Sequence, residues 1–217
     1  MKRLVVLISG RGSNMTAILD AIDAGRIAGQ VAAVISNRPD AAGLAIASAR
    51  GIATVSIDHR AHRKRDLFED ALTEAIDTQS PDLIVLAGFM RILSGAFVDR
   101  YAGRLINIHP SLLPSYPGLD THSRALADGV RIHGCTVHFV TDDVDHGPII
   151  AQAAVAVRGD DNPKTLAARV LEAEHKVMVA AVGWFCDERL VIDGNRVRVK
   201  HEHADVPPQI VPVPDLS

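Results

Sequence analysis

Asn107 and His109 are the side chains whose types and spacing most directly suggest chemistry in this 217-residue sequence. They stand two residues apart at the end of an apolar run, so an extended backbone would project both from one face. Pro110 follows, and it disfavours a helical conformation at His109. An amide beside an imidazole can hold one carbonyl oxygen and stabilise the negative charge that forms when an amine attacks that carbonyl. The pair therefore indicates acyl-transfer chemistry.

An acidic loop at 141–148 supplies candidate partners for this histidine. A carboxylate beside His109 would orient the ring and favour its cationic form, which is the better general acid. Spacing alone leaves open whether Asp142, Asp143 or Asp145 is that partner. All three also fit solvated turn residues, which are common in acidic loops.

A glycine-containing run, Ser9-Gly10-Arg11-Gly12-Ser13-Asn14, joins the first apolar run to the first predicted helix. Free backbone N–H groups at such a junction favour an anion, and Ser13 and Asn14 can add side-chain donors. Met15 occupies the third glycine position of a dinucleotide fingerprint, and no Gly-Lys-Ser/Thr of a Walker A loop follows. The run fits a phosphate site and a tight capped turn equally well.

The elements that must position these residues alternate through the first half. Buried strands are predicted by four apolar runs, at 3–8, 31–36, 52–57 and 82–87. Helices are predicted between them by three segments, at 14–24, 40–50 and 64–77. The third helix is expected to turn Leu67, Phe68, Ala71, Leu72 and Ala75 inward. Strands that are apolar on both sides indicate a parallel sheet covered by helices.

The second half has a different pattern. Strands are predicted at 104–108, 134–141 and 148–157, and helices at 121–129 and from Asn162-Pro163 to about 185. A proline-rich loop occupies 109–118, and Gly194-Asn195 suggests a terminal hairpin. The predicted fold is α/β, a Rossmann-like open, mostly parallel twisted sheet with helices on both faces and a mixed sheet in its C-terminal part. We expect one domain over 1–205 and a proline-rich tail over 206–217.

Composition limits the class of protein. Apolar residues make up 47% and charged residues 23%, as in globular proteins, and the net charge of −3 argues against wholesale nucleic-acid binding. No apolar run has the length of a membrane span, and the N-terminal apolar run is too short for a signal peptide. We therefore expect a cytoplasmic protein without nucleic-acid or membrane partners. Cys135 and Cys186 match no metal or redox spacing.

Several long motifs join the separate candidates into one pattern. Asn-Ile-His-Pro-Ser-Leu-Leu-Pro at 107–114, Tyr-Pro-Gly at 116–118, Val-His-Phe-Val at 137–140 and Asp-His-Gly-Pro at 145–148 closely resemble the formyltransferase family that uses 10-formyltetrahydrofolate. Within that family, the runs at 8–14 and 86–93 resemble members that act on glycinamide ribonucleotide. The resemblance extends from about residue 3 to about residue 190. It implies formyl transfer to the amine of glycinamide ribonucleotide, a step of de novo purine biosynthesis, with 10-formyltetrahydrofolate as cosubstrate and no metal.

The resemblance also implies roles for individual residues. Catalysis is implied for Asn107, His109 and Asp145. Binding of glycinamide ribonucleotide, with its 5′-phosphate on the glycine loop, is implied for Gly12, Ser13, Asn14 and Glu174. Folate contacts are implied for Arg65, Met90, Arg91, Ile92, Leu93 and Asn107. Arg63 and Lys64 compete with Arg65 for the folate-contacting role.

Further details of the pocket follow from the same resemblance. The Leu113-Pro114 peptide bond is expected to be cis. Asp120 stands where some relatives have histidine, and Cys135 stands where a hydroxyl residue is usual, so details of the pocket stay open. The resemblance leaves a homodimer open.

Three alternative functions are compatible with parts of this pattern. A formyltetrahydrofolate deformylase shares the core, but usually carries an extra N-terminal regulatory domain, whereas this sequence begins at its first strand. A methionyl-tRNA formyltransferase is expected to add a C-terminal RNA-binding domain. A non-catalytic phosphate- or nucleotide-binding module would explain the glycine loop, but it would leave Asn107, His109 and Asp145 unexplained.

Overall fold

The computed structural model describes residues 1–201. The predicted tail at 206–217 and the last residues of the predicted domain, 202–205, lie outside the described residues. Strands of the described chain are β1 (Lys2–Ile8), β2 (Gly29–Ser36), β3 (Ala53–Ser56), β4 (Leu83–Leu86), β5 (Leu105–His109), β6 (Ile132–Phe139), β7 (Ile149–Ala156), β8 (Leu190–Asp193) and β9 (Arg196–Val199). Its α-helices are α1 (Ser13–Asp23), α2 (Ala42–Ala49), α3 (Arg65–Asp77), α4 (Gly95–Arg100), α5 (Thr121–Ala127) and α6 (Pro163–Cys186).

All of these strands belong to one sheet, in the order β3-β2-β1-β4-β5-β6-β7-β9-β8. Neighbours from β3 to β5 are parallel, whereas β5–β6 and β6–β7 pair antiparallel. The predicted fold class is therefore confirmed, including the mixed C-terminal part. β5 continues to His109, one residue beyond the predicted 108, so this histidine belongs to the strand and not to the loop.

Helices cover both faces of the sheet, as the apolar strands require. One core cluster joins alternate residues of β1, such as Leu4 and Val6, to α1 and α6. The other joins Val5 and Leu7 of β1 to α3 and α4. Because successive side chains of a strand point to opposite faces, β1 is buried from both sides and holds the two layers together.

The inward face of α3 differs from the predicted one. Phe68, Leu72 and Ile76 lie four residues apart and are buried, whereas Leu67 is 53% exposed. A helix turns by 100° per residue, so the stripe through Phe68 and Leu72 leaves Leu67 at the solvent edge. Glu69 occupies the other buried position beside Phe68. The inward orientation predicted for Leu67 was therefore wrong.

α6 begins where the sequence predicted, at an Asn-Pro pair. The Asn162 side chain accepts hydrogen bonds from the backbone N–H groups of Lys164 and Thr165, and Pro163 takes the first helical position. Asn162 and Thr165 complete a reciprocal capping box. Glu174 lies on the buried side of this helix. Among the helices of residues 1–201, none is both long and apolar enough to cross a bilayer.

Candidate active site

The predicted site residues gather at the edge where the parallel strands end. Open parallel sheets bind ligands at this edge, beside the point where the strand order reverses. Here that point lies between β1 and β4. Ser9, at the end of β1, donates its N–H to the Gly88 carbonyl at 3.1 Å, and its hydroxyl accepts the Met90 N–H at 2.7 Å. The glycine loop and the segment after β4 are therefore tied to each other.

β5 and β6 place the predicted catalytic side chains on one face. Asn107 pairs with His138 across the antiparallel ladder, and His109 pairs with Thr136. This cross-strand register puts four polar side chains side by side at the end of the sheet. The period-2 prediction that Asn107 and His109 share a face agrees with this register.

Asp145 is the acidic-loop residue that lies beside His109. Its Oδ2 is 3.4 Å from His109 Nδ1, and both side chains are buried. The same oxygen accepts the Gly118 N–H at 2.8 Å, which holds the carboxylate in place. Asp142 and Asp143 are exposed. The structure thus brings Asp145 to the histidine and separates it from the two alternatives.

The other ring nitrogen of His109, Nε2, also has a hydrogen-bond partner. Nε2 lies 2.9 Å from the Tyr116 carbonyl oxygen, and because a carbonyl can only accept, Nε2 carries the hydrogen. A ring with a second hydrogen on Nδ1 would offer that hydrogen to Asp145. The backbone and the carboxylate therefore fix the ring from two sides.

His138 is a site residue to which the sequence analysis assigned no role. Its Nδ1 donates to the Phe139 carbonyl at 2.9 Å, so Nε2 can accept the Asn107 Nδ2–H at 3.3 Å. Burial lowers the pKa of His138, which favours this neutral form. One of the two hydrogens of the Asn107 amide is thereby committed, and the other has no hydrogen-bond partner among residues 1–201. Its place in the motif at 137–140 was the signal that could have identified it.

The proline-rich loop that follows His109 is held by hydroxyl groups. The Leu113-Pro114 bond is cis, as predicted. Thr136 Oγ1 donates to the Ser111 carbonyl at 2.7 Å and accepts the Leu113 N–H at 3.0 Å. Ser111 Oγ donates to the carbonyls of Ser115 and Tyr116. The Tyr116 carbonyl that receives His109 is therefore part of a fixed loop.

A second histidine pair lies below this loop. His133 Nε2 is 3.2 Å from His122 Nδ1, and the Tyr116 ring packs edge-on against His133 at 5.8 Å between centroids. Burial lowers the pKa of His133 to about 4. The His133 ring is therefore neutral at neutral pH, and it packs in the core against the Tyr116 ring.

The two positions that depart from the expected motif have different environments. Asp120 is exposed and precedes α5 in the left-handed region, at φ 55°. Cys135 is fully buried, and burial raises the pKa of its thiol to about 12. A protonated buried thiol packs as a small apolar group.

The glycine loop leads into α1 with an open helix end. Gly12 has φ 73°, and a Cβ there would meet Met15 Cε at 3.1 Å and Gly43 Cα at 3.2 Å, so the position requires glycine. Within residues 1–201, no side chain forms a hydrogen bond that caps the first turn of α1. The N–H groups that begin at Ser13 are therefore available for an anion.

Asn14 and Glu174 come together from opposite ends of the chain. Asn14 Nδ2 donates to Glu174 Oε2 at 2.8 Å, and both side chains are buried. Burial raises the pKa of Glu174, while the hydrogen bond from Asn14 opposes this shift. Asn14 Oδ1 is buried with no hydrogen-bond partner in the described chain. Two residues that were predicted to bind the same substrate are thus direct neighbours.

The predicted folate wall is an apolar surface left open to solvent. Met90 is 66% exposed and Ile92 is 67% exposed, whereas Phe89 is buried beneath them. The Arg91 guanidinium lies 6.0 Å from the Phe68 ring centre. Exposed apolar side chains that lie close together on a surface are typical of binding sites. The competing cations Arg63 and Lys64 are exposed, and Arg65 alone of the three forms a salt bridge within residues 1–201.

Comparisons with known proteins agree with this geometry. A family model described as formyl transferase matches residues 2–182. Phosphoribosylglycinamide formyltransferase of Escherichia coli (strain K12) is 50% identical over 206 residues, which cover 95% of this chain and 96% of that protein. The crystal structure of glycinamide ribonucleotide transformylase 1 from Symbiobacterium toebii has a TM-score of 0.90 at 48% identity and covers 92% of this chain and 94% of that one.

A deformylase is a more distant match. The crystal structure of a formyltetrahydrofolate deformylase from Pseudomonas putida KT2440 has a TM-score of 0.82 at 30% identity and covers 91% of this chain and 70% of that chain. The fold is therefore shared, while the identity to this deformylase is well below the 50% and 48% found with the two transferases. The chain belongs to the formyl transferase family, in the branch formed by the phosphoribosylglycinamide formyltransferases.

Proposed function

We propose that this protein transfers the formyl group of 10-formyltetrahydrofolate to the amine of glycinamide ribonucleotide. The observation that carries the proposal is the convergence of Asn107, His109 and Asp145, with Asp145 Oδ2 3.4 Å from the histidine. An open helix end and an exposed apolar wall lie at the same edge of the sheet. They offer separate places for a phosphorylated acceptor and a flat, largely apolar donor.

The reaction proceeds by direct attack, without a covalent enzyme intermediate. The acceptor amine forms a C–N bond to the formyl carbon, and the formyl oxygen takes up the negative charge. The free amide hydrogen of Asn107 and an N–H of His109 stabilise this oxyanion, each by about 3 kcal/mol. The bond from the formyl carbon to the folate N10 then breaks. A proton leaves the attacking amine, and N10 gains one.

His109 and Asp145 act as a unit in this step. A charged His109 ring has one N–H for the Tyr116 carbonyl and a second N–H beside Asp145, so both hydrogens meet acceptors. The contact to Asp145 is long, at 3.4 Å, so we assign the second N–H to the developing oxyanion as well as to the carboxylate. Asp145 stabilises the ring charge and relays protons through water. Holding the amine and formyl carbon together contributes roughly 7–11 kcal/mol.

Separate regions bind the two substrates. The N–H groups at the start of α1, with the Ser13 hydroxyl, bind the 5′-phosphate of the acceptor. Glu174, oriented by Asn14, accepts hydrogen bonds from its hydroxyl groups. The folate ring packs against the apolar wall of Met90, Ile92 and Leu93.

A deformylase would use water in place of the amine, so the acceptor distinguishes the two functions. We expect the purified protein to consume 10-formyltetrahydrofolate at a rate that depends on added glycinamide ribonucleotide and to form the formylated nucleotide in equal amount. The measurement is tetrahydrofolate release, with formate determined in parallel. Formate release at the same rate without the acceptor would establish the hydrolase instead.

A further inference from the structure

Glu69 is a charged residue in a buried position that the proposed chemistry does not use. Its side chain is 7% exposed. It accepts the Ser94 N–H at 2.8 Å, the Ser94 hydroxyl, and Arg65 Nε at 2.8 Å. Burial opposes the charge of this carboxylate, but the hydrogen bonds from Ser94 and Arg65 outweigh it and lower the pKa of Glu69. A buried carboxylate with three hydrogen-bond donors, one of them a cation, is an arrangement that stabilises its charge.

The first partner of Glu69 is Ser94, which lies at the end of the apolar wall formed by Met90, Ile92 and Leu93. It follows Leu93 directly and is the N-cap of α4, with Oγ accepting the Phe97 N–H at 3.3 Å. Glu69 therefore fixes the point at which the wall passes into α4. Its other end is fixed by Ser9 through the Met90 N–H. The exposed segment between them is held at both ends.

The second partner of Glu69 is Arg65, which forms a salt bridge with this carboxylate. Its side chain is 43% exposed, and its Nε is committed to Glu69. The terminal amino groups of its guanidinium have no hydrogen bond to any residue in the described range. Because the guanidinium is planar, fixing Nε sets the direction of the remaining donors, which match a carboxylate. Arg63 and Lys64 have no such anchor.

We propose that Glu69 is a positioning residue for the donor site, which holds the apolar wall through Ser94 and orients Arg65 towards a carboxylate of the folate donor. The inference rests on the proposed function. Glu69 touches neither substrate, and its effect on folate binding passes through Ser94 and Arg65, the two residues that it binds. In this proposal Arg65, rather than Arg63 or Lys64, contacts the folate.

The chain offers a matched control at the other end of the same two helices. Asp77, at the last position of α3, accepts the Tyr101 hydroxyl at 2.9 Å and a hydrogen bond from Arg100 of α4. Eight residues of helix separate it from Glu69, about 12 Å. Both carboxylates connect α3 to α4, but in the described part of the chain Asp77 contacts neither the apolar wall nor Arg65.

The experiment compares Glu69→Gln with Asp77→Asn, each a change of a carboxylate to an amide. We expect Glu69→Gln to raise the KM for 10-formyltetrahydrofolate and the Kd for tetrahydrofolate about tenfold, the loss of one charge-assisted contact. The kcat and the KM for glycinamide ribonucleotide should stay within about twofold of wild type. Asp77→Asn should lower the melting temperature, because it also weakens a contact between α3 and α4, and leave both folate constants unchanged.

A double-mutant cycle separates the Arg65 contribution from the wall. In an Arg65→Gln background, the effect of Glu69→Gln on tetrahydrofolate binding should fall to about threefold or less, because the oriented cation is already absent. An unchanged folate Kd in folded Glu69→Gln would overturn the positioning role while leaving formyl transfer by the wild type intact. Equal effects of Glu69→Gln and Asp77→Asn on folate binding would also overturn it, because they would show a general loss of stability. Failure of the proposed function would appear in the wild type itself, as absence of acceptor-dependent turnover.

Discussion

The two halves of the sheet contribute to the site in different ways. The half formed by β1–β4 has an aliphatic core, with β1 residues Leu4–Ile8 and all of β4 buried, and it offers backbone N–H groups and an apolar wall. The half formed by β5–β7 buries ionisable side chains, among them His109, His133 and His138. Binding in the first half thus rests on backbone N–H groups and an apolar surface, with Glu69 and Asn14 as its buried polar supports, whereas chemistry in the second half depends on buried histidines.

This difference has physical consequences for substitution and for pH. A backbone site loses only part of its affinity when one side chain is removed, because the N–H groups remain. A buried side-chain site loses the interaction outright and leaves its partner unsatisfied. Buried histidines also couple stability to pH, which an aliphatic core does not. Three predictions test the contrast, beginning with the largest effect.

Asp145→Asn should have the largest effect, on kcat. It keeps the shape of the side chain but removes the charge that faces His109 Nδ1, so we expect kcat to fall by about 10²–10³-fold or more. The Kd for tetrahydrofolate should change little. Steady-state kinetics and folate titration check both. Asp143→Asn, an exposed change in the same loop, is the control and should stay within about twofold of wild type. Near-normal activity of Asp145→Asn would remove Asp145 from the mechanism.

Replacement of Ser13 and Asn14 by alanine should have an intermediate effect, on the acceptor. The loss of the hydroxyl donor and of the hydrogen bond that orients Glu174 should raise the KM for glycinamide ribonucleotide roughly ten- to hundredfold. The KM for the folate should stay within about twofold, and the N–H groups of α1 should preserve weak binding. Thr16→Ala, one helical turn later, is the control. Equal increases for both substrates would mean that the loop is only structural.

The pH dependence of stability should show the smallest effect. Burial lowers the pKa of His133 to about 4, so between about pH 6.5 and pH 4 the unfolded chain binds a proton that the folded chain does not. The free energy of unfolding should therefore decrease as the pH falls through this window. The free energy of unfolding is measured with urea at pH 7.5 and pH 5.0, and His133→Gln should lose less of it between these two pH values than wild type. The substitution should also lower stability at pH 7.5. His146→Gln, an exposed change, should keep the wild-type slope, and an equal slope for His133→Gln would contradict the assignment.

Much of this arrangement could be predicted from local patterns. Apolar runs predicted the parallel strands, and the motif at 107–114 identified Asn107 and His109, because period-2 geometry is a property of the strand itself. The choice of Asp145 over Asp142 and Asp143 required the fold of the loop, in which Gly118 holds the carboxylate. Spacing cannot provide that information, since all three lie within four residues.

The remaining features depend on tertiary contacts without a local signal. Glu69 follows Phe68 on a charged amphipathic helix, where a glutamate is usually solvated, and only the N-cap of α4 explains its burial. The helix α4 has only six residues, and no apolar pattern in the sequence predicted it. His138 had a motif but no evident partner until β6 aligned it with Asn107. The sequence predicts which segments form most of the strands and helices, but it does not predict which of their residues contact each other across the sheet.

The hydrogen bond between the Tyr116 carbonyl and His109 has a consequence for mutational scanning. Its acceptor is a main-chain carbonyl, at a residue with φ 57°, so no exchange of the side chain deletes the acceptor. A scan of all single substitutions would record strong effects at 109 and 145. At 116 it would record the cost of residues that disfavour positive φ and the loss of the ring contact with His133. One of the two contacts that hold the ring would thus be nearly invisible to mutational mapping, and a ranking of positions by fitness would understate how firmly this histidine is held.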